Sequence, residues 1–170
     1  MSGCGRLLPL EGQWTTTAWC LLGACDAVWV GNNARENTDS LGGNVTTRPP
    51  MFVSGIVLDS PDARELAAFY QRLLGWRMEQ DEPDWVKLAA PSGGAGLSFQ
   101  TESAYVRPTW PAGPGDQQMM LHLDIEVDDL ESAGAHAVAA GATLADFQPQ
   151  EDVRVYLDPA GHPFCLFVND

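Results

Sequence analysis

The chain has 170 residues, enough for one compact domain or for two small modules sharing a core. Hydrophobic residues make up 45% and charged residues 19%, a globular composition. Nine basic against 23 acidic side chains give a formal charge of −14. That balance argues against nucleic acid or an anionic membrane surface as partner, because both require a basic patch. No stretch approaches the roughly 20 apolar residues of a membrane span.

Cys4, Cys20 and Cys25 lie close to the start and Cys165 stands apart, with no Cys-x-x-Cys spacing. No disulfide scaffold is expected, and the expected setting is the reducing cytoplasm. Residues 1–50 hold scattered glycines, a Thr15–Thr17 run and a polar stretch closed by Pro49 and Pro50, with no sustained period of 2 or 3.6. Leu22-Gly23-Ala24-Cys25 has the form of a lipoprotein cleavage box, but Glu11 and Gln13 sit where its apolar region belongs. Residues 1–50 are therefore expected to be a disordered or extraneous extension, and 51–170 the folded part.

From Phe52 to Leu58 a short apolar run predicts a strand. Asp62 with Glu65 makes a capping pair that opens a helix, whose stripe is Leu66, Phe69, Tyr70, Leu73 and Leu74. Gly75 ends it. Strand patterns follow at Trp76–Gln80, Trp85–Ala90 and Gly96–Thr101. The same order then recurs. Met120–Val127 reads as a strand, Asp128 with Glu131 as a second capping pair, and Leu130, Ala133, Ala137 and Val138 as a helical stripe that stops at Gly141. Strands at Thr143–Phe147, Val153–Leu157 and Pro163–Val168 complete it, with Asp158 to Gly161 as a turn.

Gly75 and Gly141 are 66 residues apart, Asp62 and Asp129 are 67, and Pro91 and Pro159 are 68. A near-constant offset across three kinds of landmark marks an internal repeat. The expected fold class is α+β: two tandem βαβββ modules, about 51–102 and 119–170, joined by a linker over 103–118. They are expected to form a curved mixed sheet around a cleft, with the helices on its outer face.

Phe69-Tyr70 followed by Leu73-Leu74-Gly75-Trp76 resembles the first module of the glyoxalase, bleomycin-resistance and extradiol-dioxygenase superfamily, the vicinal oxygen chelate proteins. His122 to Leu130 (HLDIEVDDL) and Asp158 to Leu166 (DPAGHPFCL) resemble its second module. The resemblance implies that metal-dependent members take one ligand from the first and last strand of each module. By position these are Gly55, Ser98, His122 and Cys165. Gly55 has no side chain and Ser98 is a poor ligand, leaving His122 and Cys165 as the metal candidates. No cofactor is therefore expected, a divalent metal being the alternative.

His122, Asp124 and Glu126 alternate with Leu123, Ile125 and Val127, so the polar set is expected to face the cleft. There a carboxylate beside an imidazole could act as an acid/base pair, with His122 and Glu126 catalytic, or hold a basic ligand. Ser98, Gln100 and Asp124 are expected ligand contacts, joined by Arg154 and Tyr156, which share a strand face. Trp110, in the proline-rich linker, is expected to stack on a bound ring. Cys165 also reads as an inert buried thiol, and His162 as a solvent-facing turn residue.

The leading functional expectation is a metal-free protein of the bleomycin-resistance kind that binds a small, aromatic or cationic molecule. Residues 51–170 carry six basic and 19 acidic side chains, which motivates the cationic choice. The competing expectation is a lyase, isomerase or dioxygenase that uses His122 with an atypical metal shell or acid/base chemistry. A third is an interaction module with a vestigial cleft. Pairing of two chains is expected through exposed sheet edges.

Overall fold

The computed structural model describes residues 49–169, so the cleavage-box resemblance and the expected N-terminal extension up to residue 48 lie outside it. The described part comprises β1 (Gly55–Ser60), α1 (Ala63–Leu74), β2 (Arg77–Glu82), β3 (Trp85–Ala89) and β4 (Gly96–Thr101). After the linker come β5 (Leu123–Glu126), α2 (Leu130–Ala140), β6 (Thr143–Leu144), β7 (Val153–Leu157) and β8 (Pro163–Phe167). This is the α+β repeat of two βαβββ modules. No helix among the described residues is long and apolar enough to cross a membrane.

Each helix starts and stops where local chemistry directs. Asp62 caps α1, its Oδ1 accepting from the backbone N–H groups of Arg64 and Glu65 at 2.9 and 3.0 Å. Gly75 closes α1 in the left-handed region, φ 67°, where a side chain would be strained. Asp129, not Asp128, caps α2 by accepting from the Ser132 N–H at 2.7 Å. The capping pair therefore shifts by one residue, in step with the 67-residue offset from Asp62.

Strand ends depend on partners and differ from the apolar runs. β1 begins at Gly55 because its parallel partner β4 begins at Gly96, so Met51 to Val53 stand exposed outside the ladder. β5 likewise spans only the residues that β8 pairs, Leu123 to Glu126. β6 is two residues long, and Phe147 beyond it is half exposed.

The strands form two four-stranded sheets, ordered β1-β4-β3-β2 and β5-β8-β7-β6, rather than one continuous curved sheet. Among the described elements the strand backbones of the two sheets stay apart, whereas the backbones of α1 and α2 come close. The shared core is aromatic. The Tyr70 ring on α1 stacks on Phe99 of β4 at 5.4 Å and lies 6.5 Å from Phe164 of β8. Phe69 lies 6.0 Å from Phe164, which in turn stacks on Tyr156 at 5.8 Å. Both sheets thus meet this core on their helix-bearing sides, and their open faces turn away from it.

The helix ends are tied reciprocally. Arg72 of α1 donates twice to the Ala140 carbonyl at the end of α2, at 3.1 and 2.9 Å. His136 of α2 bonds through Nε2 to the Leu73 carbonyl near the end of α1, at 3.1 Å. Each contact satisfies a carbonyl that a helix terminus leaves without an intrahelical donor.

Candidate functional site

On β5 and the residue before it, period 2 works as the sequence suggests. Leu123 and Ile125 pack against the core, which turns His122, Asp124 and Glu126 to the open face of the second sheet. Parallel pairing sets Asp124 opposite Cys165 of β8. His122 Nε2 lies 3.3 Å from Asp124 Oδ1, with the imidazole 23% and the carboxylate 54% exposed. The ligand-type atoms of His122, Asp124 and Cys165 all lie within 4.8 Å of one another. Cys165 is half-buried rather than sealed in the core.

The other expected contacts do not gather around this trio. Ser98 and Gln100 lie on β4 in the first sheet, where Ser98 sits between Val57 and Lys87 across the strands. A Cβ added at Gly55 would lie 3.7 Å from the Ser98 hydroxyl, so these two positions share the open face of that sheet. Lys87 on the same face is held by Glu79 at 2.9 Å. Trp110 packs against Phe147 with ring centroids 6.4 Å apart, and its buried indole N–H has no partner among the described residues.

Arg154 and Tyr156 do share a strand face, but it is the side that carries the helix. β7 pairs Tyr156 with Phe164 and Arg154 with Leu166, both core residues. Tyr156 is 6% exposed, and its hydroxyl approaches α2 where Gly134 has no Cβ to obstruct it. Arg154 donates to the Glu151 carbonyl at 2.8 Å and braces the loop before β7. Neither side chain stands on the open face with the trio.

A second cluster centres on Asp158 and His162, which by sequence pattern alone are an ordinary turn residue and its solvated neighbour. Asp158 is 1% exposed and sits at the junction of the modules. Its Oδ1 accepts from the backbone N–H groups of Gly161 and His162 at 2.7 and 2.9 Å. Its Oδ2 accepts from the Tyr70 hydroxyl at 3.1 Å and from His162 Nδ1 at 2.8 Å. The Tyr105 hydroxyl, from the linker, donates to the Ala160 carbonyl at 3.0 Å and lies 3.2 Å from His162 Nε2. The signal available in the sequence was an Asp at the head of a Pro-Ala-Gly-His turn together with a tyrosine on the buried helical stripe.

Burial, followed by the Asp158 charge, raises Tyr70 well above the ordinary phenol range, and the same causes push Tyr105 up to about 12. Both hydroxyls are therefore donors at neutral pH, and the cluster is a clamp rather than a nucleophile site. The folded state holds these protons where unfolded phenols, ionising near pH 10, release them. The resulting stability is fully present below about pH 10 and is lost as pH rises through the folded values. Urea denaturation at about pH 8 and about pH 11 should show this alkaline loss, and Tyr70→Phe should flatten it. A cavity of about 240 Å³ lies beside the clamp, lined by Ser60, Asp62, Glu65, Tyr105 and Arg107 among others, and shares no residue with the trio.

The tandem βαβββ order, the outward His122 row and the 158–162 turn all lie within the stretch that one family model covers. The model of the glyoxalase-like domain family matches residues 55–167. The chain belongs to this family. The fold of this glyoxalase-like chain recurs in a glyoxalase/bleomycin resistance protein/dioxygenase family enzyme from Burkholderia phytofirmans PsJN, at 21% identity and TM-score 0.54, over 69% of this chain and 98% of that one. A possible glyoxalase from Bacillus cereus is similar at 11% identity and TM-score 0.52, over 69% and 99%. A protein from Agrobacterium tumefaciens is similar at 15% identity and TM-score 0.55, over 71% and 99%. At these identities the likeness concerns the fold alone. No curated protein matches the sequence.

The metal set that the resemblance implies, one ligand from each outer strand of both modules, does not fit this glyoxalase-like chain. Gly55 offers no donor and the Ser98 hydroxyl is a weak one, so the first module supplies too little to complete it.

Proposed function

We propose that this glyoxalase-like chain binds a small cationic, aromatic molecule on the open face of its second sheet. The supporting observation is the row of His122, Asp124 and Glu126, outward-facing on a strand whose alternate residues are anchored in the core. Six basic against 19 acidic side chains over 51–170 draw cations to that row. Within one chain the first sheet's open face, with Ser98 and Gln100, turns away from the row. A homodimer that set one copy's first sheet beside the other's second sheet would gather these residues, and the lack of a paired-cysteine framework in the sequence favours the cytoplasm.

The test is thermal denaturation of the full chain against cationic aromatic compounds, bleomycin included, with neutral and anionic analogues as controls. A ligand at 100 times its dissociation constant should stabilise by about 2.7 kcal/mol, several degrees in Tm. Asp124→Asn and Glu126→Gln should each diminish the shift, as should added salt. A panel in which no cationic compound raises Tm would overturn the reading.

A second reading, a lyase, isomerase or dioxygenase, is favoured by the 3.3 Å contact between His122 and Asp124. A carboxylate so placed orients an imidazole for proton transfer, with Glu126 two residues away as the complementary group. On that reading His122→Ala abolishes turnover of a bound compound and leaves the fold intact.

A further inference from the structure

We infer that the cavity beside the Asp158 clamp is a second ligand site, which takes a small zwitterion of the class of a free α-amino acid with an apolar side chain. It lies where β1 runs into α1, closed by the linker and the 159–160 turn, and shares no residue with the row on the second sheet.

The opposite charges that border the cavity do not meet one another. Asp62 and Glu65 line it from the start of α1, and Arg107 lines it from the linker. Among the described residues no ion pair joins Arg107 to either carboxylate. Arg107 donates through Nη1 to the Pro159 carbonyl, and its other N–H groups meet no described acceptor. Asp62 accepts from α1 through Oδ1 alone, which leaves Oδ2 open. A molecule with an ammonium at one end and a carboxylate at the other matches both walls. Its carboxylate meets the guanidinium, and its ammonium meets Asp62 and Glu65.

The floor supplies an independent sign. Ser60 ends β1 on the side of Leu58, is 1% exposed and lines the same cavity. Its buried hydroxyl has no hydrogen-bond partner among the described residues, a costly state for a polar group. Its register partner Thr101 is engaged elsewhere, accepting through Oγ1 from the Ala63 N–H at 3.1 Å. A ligand ammonium drawn to Asp62 supplies the partner that Ser60 lacks.

The same surroundings exclude other ligands. The first N–H groups of α1 are already taken, Ala63 by Thr101 and Arg64, Glu65 and Leu66 by Asp62, so the helix start has no donor left for a bare anion. A simple amine would leave Arg107 unmatched. The volume of about 240 Å³ falls below the roughly 300–1,000 Å³ of sites for drug-sized compounds, and Pro61, Leu66 and Pro159 offer an apolar wall to one short side chain.

Amide NMR titration of the full chain with L-leucine and L-phenylalanine tests this. Saturable shifts are expected at Ser60, Glu65, Leu66 and Arg107, with Asp124 and Glu126 unmoved. N-acetyl-leucine, which lacks the ammonium, and leucinamide, which lacks the carboxylate, should each bind at least about tenfold more weakly. Glu65→Gln keeps a helix-start residue of the same shape, and Arg107→Met keeps the packing of the stem; each should weaken leucine binding by about tenfold. Ser60→Ala should hold or raise the Tm of the free chain, because an unmatched hydroxyl is removed, and still weaken binding. A serine with a structural role alone would instead lower Tm and leave affinity unchanged, which would overturn the site. Absence of saturable shifts in the millimolar range would also overturn it, as would N-acetyl-leucine or leucinamide binding as tightly as leucine. Shifts centred on Asp124 and Glu126 would place the amino acid on the second sheet and overturn this site while leaving the proposed function standing.

Discussion

Asp158→Ala is expected to destabilise the domain by about 3–5 kcal/mol, the range for removing one partner of a buried charged network. The carboxylate is 1% exposed and accepts from two backbone N–H groups, from Tyr70 and from His162. Alanine leaves the Tyr70 hydroxyl without its acceptor in a core position where that residue is 0% exposed. It also frees the turn that sets the start of β8. Tyr70→Phe should cost less, about 1–3 kcal/mol, since the ring packing stays and only one donor is lost. Urea denaturation of the single and double variants supplies the comparison. Because both changes act on one bond, their effects should be clearly less than additive. An Asp158→Ala loss below about 1 kcal/mol would mean that the clamp is solvated rather than buried.

The clamp also explains how the linker is held. Tyr105 reaches Ala160 and His162, and Arg107 donates to the Pro159 carbonyl at 2.6 Å, so two linker side chains grip the turn that opens β8. Tyr70 reaches the same turn from the first module. Cys165 stands on the strand this turn leads into, so a remote polar network fixes the register on which the candidate site depends.

The parts of this arrangement that could be read in the sequence are those governed by local period and local chemistry. Asp62, Gly75 and Gly141 act within a few residues of themselves, and their repeat at near-constant offset reveals the two modules. The alternation of His122, Asp124 and Glu126 with Leu123 and Ile125 likewise needs no knowledge of the partner strand. Arg154 and Tyr156 show where such reading stops. Period 2 establishes that they share a face, but their polar atoms suggest solvent, whereas Tyr156 is buried in a slot provided by Gly134, 22 residues earlier. Asp158 and His162 are less exposed than a turn pattern implies, for a related reason. A turn's exposure depends on what packs against it, here a tyrosine 88 residues before Asp158. Asp124 as a neighbour of Cys165 is set by the register of a parallel pair, which no local pattern specifies. The orientation of the two sheets, helix sides together, follows from how Phe69, Tyr70 and Phe164 fill one volume.

That shared volume leads to the second large effect. Phe164→Ala is expected to cost about 3–5 kcal/mol, the range for truncating a buried aromatic residue. Phe164 is fully buried and its ring meets Phe69 and Tyr70 from α1 as well as Tyr156 from its own sheet. A cavity there removes packing from both modules at once, because the strand backbones of the two sheets stay apart and the helices carry the connection. In the native chain, amides of Val86 and Phe99 in the first sheet and of Leu166 in the second should therefore exchange with a common, global free energy. Phe164→Ala should lower protection in both sheets together. Phe164→Leu retains most of the volume and should recover much of the loss. If only second-sheet amides lose protection, the modules are independent folding units and the core does not couple them.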